Sequence, residues 1–316
     1  MINGTGPRPS WDTTRRWVEK NVGAPVEGAV ALHGGWTSEM RRLSVGGERP
    51  RSVVLRSFVK EFYARAAPGL LRREADVLTL LARTGVPGAE LIAVDPEGAY
   101  CDHPSLLMSL LPGEVRIDPP GADRRAPLLA RQLLDIHRIE VDEAHRPRTY
   151  EPWTSPESVR IPEATRRPDL WRRAVDVIRH GPPAHRPVFL HRDFHPGNVL
   201  FTGDGADPHI SGVVDWVETS WGPADLDVAH CSTNLALLYG VPAGLAFPGQ
   251  YLAAGGRLSP DRRDLVHWLL LDALAFAPDA EKVAVPWRTL GRTDLAPGVV
   301  GARLEDYLQA VLDLAP

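Results

Sequence analysis

The stretch His191-Arg192-Asp193-Phe194-His195-Pro196-Gly197-Asn198-Val199-Leu200, followed by Ile210-Ser211-Gly212-Val213-Val214-Asp215, constrains this chain more than any other. The residues between, Thr202-Gly203-Asp204-Gly205-Ala206-Asp207-Pro208, are turn formers, and Asp-Gly between apolar runs is a strong hairpin signal. The apolar runs at 199–201 and 210–214 are short and β-rich, which predicts two hairpin legs ~5 Å apart. Asn198, just before the first leg, then lies beside Asp215, just after the second, and Asp193 sits in the loop leading in. Two carboxylates and a carboxamide at one hairpin mouth make a site for a hard cation with a base to spare. Oxygen ligands of this kind suit Mg²⁺, which takes one or two carboxylates and fills its other positions with water and substrate phosphate.

His-x-Asp-x-x-x-x-Asn, then a hairpin and a second Asp, is the catalytic-loop and metal-aspartate pattern of the protein-kinase fold. His191, Asp193, Asn198 and Asp215 match it position for position. Where Ser/Thr protein kinases usually carry Lys, this chain has His195, followed by Pro196-Gly197. In that form the stretch resembles the aminoglycoside phosphotransferase/choline kinase-like family of small-molecule kinases. Trp216, Gly222-Pro223 and Asp227-Val228-Ala229 resemble that family's Asp-Trp and Gly-x-Pro…Asp-Leu-Ala, and landmarks run from about 28 to 235.

The resemblance implies an α+β, bilobal, protein-kinase-like fold. Its N-terminal nucleotide-binding lobe, residues 1–111, would hold a five-stranded antiparallel sheet with one main helix. A larger, mostly helical lobe, residues 112–316, would carry catalysis and substrate binding. The implied reaction moves the γ-phosphoryl group of ATP to a hydroxyl of a small molecule, with Asp193 as the base and Asn198 and Asp215 holding Mg²⁺. His191, His195 and Asp227 would support the catalytic loop, with Asp225 as the alternative to Asp227.

Residues 29–45 read as strand, glycine turn and strand, and 52–59 as a third strand after a second turn. By resemblance, Gly34, Gly35 and Ser38 lie over the nucleotide phosphates, where backbone N–H groups can approach closely. The full G-x-G-x-x-G spacing is absent. Arg56 replaces the usual phosphate-pairing Lys, and a permanent, bidentate cation can fill that role. Lys60 competes with it by period-2 counting along the strand. A helix at 70–83 carries Leu71, Ala75, Leu78 and Leu81 as an inward stripe with Glu74 beside it. An inward carboxylate needs a partner, and Arg56 would supply it. Strands at 91–94 and 105–111 complete the sheet and lead to a hinge, where the nucleotide base would meet backbone at Ser109 and Leu110. Backbone recognition leaves no side-chain signature, so GTP stays open beside ATP.

The formal charge of −4 over 316 residues gives no basic field for nucleic acid or anionic membrane. Cys101 and Cys231 make neither a disulfide framework nor a zinc set. The N-terminus lacks an apolar signal region and no run approaches 18 apolar residues, which predicts a cytoplasmic protein without a membrane partner.

Helices are expected at 128–139, 170–178, from Asp227 to about 239, at 261–276 and 304–314, with a shorter one at 248–254 opened by Pro248. His137 reads as a structural histidine. Residues 140–168 form a Pro-, Glu- and Arg-rich insertion, a kind of segment that often carries substrate contacts. Glu151, Glu157, Glu163, Asp272, Asp279, Glu281, Glu305 and Asp306 favour an amine-bearing, aminoglycoside-like acceptor, as in antibiotic resistance. Choline, homoserine, sugar and macrolide kinases are the rivals, and nine Trp would allow an aromatic cage for choline. His195 and the lack of an Ala-Pro-Glu segment count against a protein kinase. The survival of Asp193, Asn198 and Asp215 counts against an inactive binding module.

Overall fold

A computed structural model describes residues 11–32 and 38–315 of the chain. Its first five strands are β1 (Val26–Leu32), β2 (Glu39–Val45), β3 (Arg51–Ser57), β4 (Leu91–Asp95) and β5 (Ser105–Ser109). They form one antiparallel sheet in the order β1-β2-β3-β5-β4. β3 is central and buried from Val53 to Arg56. Val53 and Leu55 pack with Trp17 and Val18 of helix α1 (Asp12–Val22), while Arg56, one position on, points to the opposite face. After a single turn, α2 (Glu61–Ala64), helix α3 (Ala67–Leu81) buries Leu71, Glu74, Ala75, Leu78 and Leu81 at helical spacing. These elements belong to the first of two compact units, Met1–Arg83 with Gly88–Leu111.

β3 stops at Ser57, short of the expected 59, because Phe58 N–H donates to the Pro104 carbonyl (3.0 Å) and the chain turns into α2. Lys60 therefore precedes a helix and is not on the strand, so the period-2 argument for it fails. Gly34 and Gly35 lie outside the described residues.

The second unit is Thr84–Pro87 with Pro112–Pro316. After the short strand β6 (Glu114–Val115) come helices α4 (Ala122–His137) and α5 (Pro168–Ile178) and strand β7 (Pro187–Leu190). The hairpin follows as β8 (Val199–Thr202) and β9 (His209–Val213), antiparallel, with Val199 opposite Val213. Asp204 closes its turn by accepting from Ala206 and Asp207 N–H, while Gly203 takes the left-handed conformation (φ 79°). β10 (Ser220–Pro223) pairs with β7 and was not foreseen.

The remaining helices are α6 (Ala224–Tyr239), α7 (Val241–Ala253), α8 (Arg262–Leu274), α9 (Glu281–Thr289) and α10 (Val299–Leu312). α6 is buried over almost its whole length and has no polar face, the mark of a central helix. α7 corrects the expectation that Pro248 opens a short helix, because Pro248 lies inside a longer one. A proline at 248 leaves the carbonyl of residue 244 without its helical donor. Ser232 Oγ of α6 donates to Gly244 O instead (2.8 Å). Gly244 permits that approach, since a Cβ there would meet Ser232 O and Ala236 Cβ at 2.6 Å. Residues 140–168 are irregular apart from a 3-10 turn at Glu143–His145. Among the described residues, no helix is long and apolar enough to cross a membrane.

Candidate active site

The loop after β7 is held from behind by one buried carboxylate. Asp227, in the first turn of α6, accepts His191 N–H at Oδ2 and Arg192 N–H at Oδ1, both at 2.8 Å. Burial alone would raise its pKa. The hydrogen bond and charge of His137 and the nearby His191 and Arg192 overcome that and hold it below the usual range. His137 Nε2 reaches Asp227 Oδ2 at 3.2 Å and its Nδ1 meets Tyr251 OH at 2.7 Å, so this histidine is a brace. Asp225 instead accepts from Ser259 N–H at 3.2 Å, and burial raises its pKa. The grip on the loop offsets the cost of Arg192, which sits at φ 74°, a conformation costing a non-glycine residue about 1–3 kcal/mol.

His191 is fully buried and its tautomer is fixed by two bonds. Nε2–H donates to Val214 O (3.1 Å), and Nδ1 accepts the Asp193 N–H (3.2 Å). Burial lowers its pKa, in keeping with the neutral ring these two bonds require. His195 folds over Gly197 and accepts its N–H at Nδ1 (3.0 Å); a Cβ on Gly197 would strike the ring at 2.6 Å. Its Nε2 faces Asp193 Oδ1 at 3.7 Å, and burial lowers its pKa to about 4.

Asp193 is half-buried, with both oxygens engaged. Asn198 Nδ2 donates to Oδ2 (3.0 Å) and to the Asp193 carbonyl (2.9 Å). On the other side His230 Nε2, from α6, meets Oδ1 at 3.1 Å. Burial would raise this carboxyl, but the His230 hydrogen bond and the surrounding imidazoles hold it well below the usual carboxylate range.

Asn198 and Asp215 meet across the open end of the hairpin, where Val214 N–H donates to Asn198 O at 3.0 Å. Asp215 adopts φ 66°, the second non-glycine residue in the left-handed region. With its nitrogen on Asp193, Asn198 keeps Oδ1 as a ligand atom, and with the Asp215 carboxylate this is a hard-oxygen pair that fits Mg²⁺. Asp193, His195 and His230 also bring ligand atoms within 4.8 Å of one another. On the far side of the His230 ring, Nδ1 is bonded to Asp272 Oδ1 at 2.9 Å, a support that a metal-bound imidazole and a free one share.

In the first unit, Arg56 is buried and donates through Nη1 to both oxygens of Glu74 (2.9 and 3.0 Å) and through Nε to Ser38 Oγ (3.0 Å). Ser109 N–H donates to Glu90 O (2.9 Å), so that donor is already used within the sheet. Leu110, just past the end of β5, is exposed.

Several carboxylates assigned to an amine-bearing acceptor have partners within the protein, and one of them is buried. Asp272 is buried against His230. Glu281 pairs with Arg288, Asp306 with Arg167, and Glu305 accepts from Trp171 Nε1 (3.0 Å) and from Thr165. Glu151, Glu157 and Glu163, on the insertion, are exposed. The same insertion brings Trp153 edge-on to His230, with ring centres 5.0 Å apart, and the Arg192 guanidinium lies 4.2 Å over the Trp153 ring. His230 is the neighbour of Asp193 that sequence reasoning missed. No local signal marks it, since it reaches partners 37 and 42 residues away.

A profile described as the phosphotransferase enzyme family matches residues 28–267. Acyl-CoA dehydrogenase family member 10 of Mus musculus is 23% identical over 230 residues, which is 65% of this chain and 21% of that protein, so the match spans about a fifth of that relative. An aminoglycoside-3'-phosphotransferase of type VIII superposes with a TM-score of 0.57 at 22% identity, covering 83% of this chain and 98% of its own. A thermostable mutant of the aminoglycoside phosphotransferase APH(4)-Ia, in a ternary complex with ADP and hygromycin B, gives 0.59 at 17% identity, covering 94% and 98%.

Proposed function

We propose that this chain, which belongs to the phosphotransferase enzyme family, moves the γ-phosphoryl group of ATP to a small-molecule hydroxyl with Mg²⁺. The observation that supports this most is the fixed Asp193 carboxylate, bonded by Asn198 on one oxygen, beside the Asn198–Asp215 oxygen pair. Asp193 orients the acceptor hydroxyl and takes its proton as the oxygen attacks phosphorus and the bond to the β-phosphate oxygen breaks. The transition state is loose, so positioning matters more than base strength, and a carboxylate of low pKa suffices. Mg²⁺, held by Asn198 and Asp215, would neutralise charge on the phosphates. Arg56, oriented by Glu74 and Ser38, is assigned to the phosphates, and the backbone at Leu110 to the nucleotide base. The unit with the sheet thus serves the nucleotide and the helical unit serves transfer.

For the acceptor, an amine-bearing, aminoglycoside-like compound is proposed. The similar structure in complex with hygromycin B supports it, as do the exposed Glu151, Glu157 and Glu163. Arg192 over one face of Trp153 counts against a choline cage there. The test is acceptor-dependent ADP formation across aminoglycosides, macrolides, amino-alcohols and sugars, with the product identified by phosphorus NMR. ADP release that needs both Mg²⁺ and an amine-bearing acceptor is expected. No acceptor-dependent release from any hydroxyl compound would refute phosphotransfer, and turnover of neutral acceptors alone would refute the substrate class.

A further inference from the structure

Asp272 of α8 and Asp193 of the catalytic loop contact opposite nitrogens of one buried imidazole, His230 of α6. The distances are 2.9 Å at Nδ1 and 3.1 Å at Nε2. Ionised carboxylates only accept hydrogen bonds, so both contacts are bonds only if both ring nitrogens carry hydrogen. Asp272 is buried and its Oδ2 has no hydrogen-bond partner among the described residues, an arrangement that is costly unless a cation lies beside it. We propose that His230 is a positioning residue for phosphoryl transfer: a doubly donating imidazole, anchored from behind by Asp272, that fixes Asp193 Oδ1 while Asn198 fixes Oδ2. This rests on the phosphotransfer role given to Asp193.

Burial would pull the imidazole pKa down, but the charge of Asp272 and hydrogen bonds to Asp193 and Asp272 push it up to about 10. The other groups facing the ring are His195, whose pKa is lowered, the Trp153 edge at 5.0 Å and Phe276 stacked at 6.2 Å. Asn234 Nδ2 lies 3.2 Å from Nε2, a contact that would be a hydrogen bond only with a neutral ring, but that nitrogen already donates to the His230 carbonyl at 2.9 Å. None of them carries a negative charge, so the two carboxylates alone account for the cation. Pinning both oxygens fixes the plane of the Asp193 carboxylate before an acceptor arrives, and it leaves the second lone pair of each oxygen for the substrate hydroxyl.

Two measurements on the full chain test this. In the resting protein, nitrogen-15 imidazole spectra at pH 7.5 should show both His230 nitrogens protonated in the wild type, and one nitrogen unprotonated in Asp272→Asn. In turnover, His230→Asn should lower kcat roughly 100-fold, the scale for losing one preorganised donor, with acceptor KM and nucleotide affinity unchanged. Asp272→Asn should show a smaller loss of the same kind. A neutral His230 tautomer in the wild type would overturn the proposal, as would kcat unchanged in both variants. Loss of nucleotide affinity and folding together with kcat would also overturn it, since that marks a merely structural histidine. If the wild type turns over no acceptor, phosphotransfer fails, while the spectra still decide the state of His230.

Discussion

Asp227→Asn should cost the second unit roughly 4 kcal/mol, for reasons visible in its three bonds. The wild-type carboxylate accepts at 2.8 Å from His191 N–H, at 2.8 Å from Arg192 N–H and at 3.2 Å from His137. An amide of the same shape has one accepting oxygen, so one of those hydrogens faces another donor and is orphaned in a fully buried place. An unsatisfied buried N–H costs about 2 kcal/mol, and each surviving bond loses about 1 kcal/mol in passing from charged to neutral. For a unit of some 200 residues that corresponds to a fall in melting temperature of very roughly 8–16 °C. Urea unfolding followed by tryptophan fluorescence measures the loss, and amide hydrogen exchange at His191 and Arg192 locates it. Asp227 has a lowered pKa in the fold, so its contribution is present above the unfolded carboxyl value of about 4 and lost as pH falls through the folded value. The gap between variant and wild type should therefore close in acid. Asp225→Asn is the control: burial raises that carboxyl, so removing its charge at pH 7 should be neutral or stabilising. A loss below 1 kcal/mol in Asp227→Asn, with exchange at both amides unchanged, would refute the brace.

Asp193→Ala should abolish phosphoryl transfer while isothermal titration shows nucleotide binding nearly intact, because the base acts on the acceptor hydroxyl. Asp215→Ala should remove Mg²⁺-dependent nucleotide affinity and Asn198→Ala should weaken it less; unchanged Mg²⁺-ATP binding in Asp215→Ala would exclude that ligand. Ser232→Ala removes the donor to Gly244 O (2.8 Å) and the contact with Tyr307 OH (2.6 Å), and should cost about 1–3 kcal/mol in urea unfolding with kcat unchanged.

How far the sequence could reveal these features depends on how near in the chain each partner lies. The hairpin was legible because its signals are local: two β-rich legs, a turn of Gly and Asp, and a fixed offset from Asn198 to Asp215. The five-stranded sheet and the inward face of α3 follow from periods of two and 3.6 for the same reason. The buried Arg56–Glu74 pair, 18 residues apart, was foreseen because an inward carboxylate needs a cation and Arg56 stands on the strand at the place of the usual phosphate-pairing Lys. Asp272 reads as one of the carboxylates available to an amine-bearing acceptor, and the structure buries it against His230. Charge alone does not show burial, and its partner His230 stands on a helix buried on nearly every side, which hides any periodic signal. Pro248 misled in the opposite sense, since a proline ends a helix only when nothing else satisfies the freed carbonyl, and Ser232 on another helix does so here. In both cases one helix supplies the polar partner of another, so a pattern confined to either helix holds only half of the information.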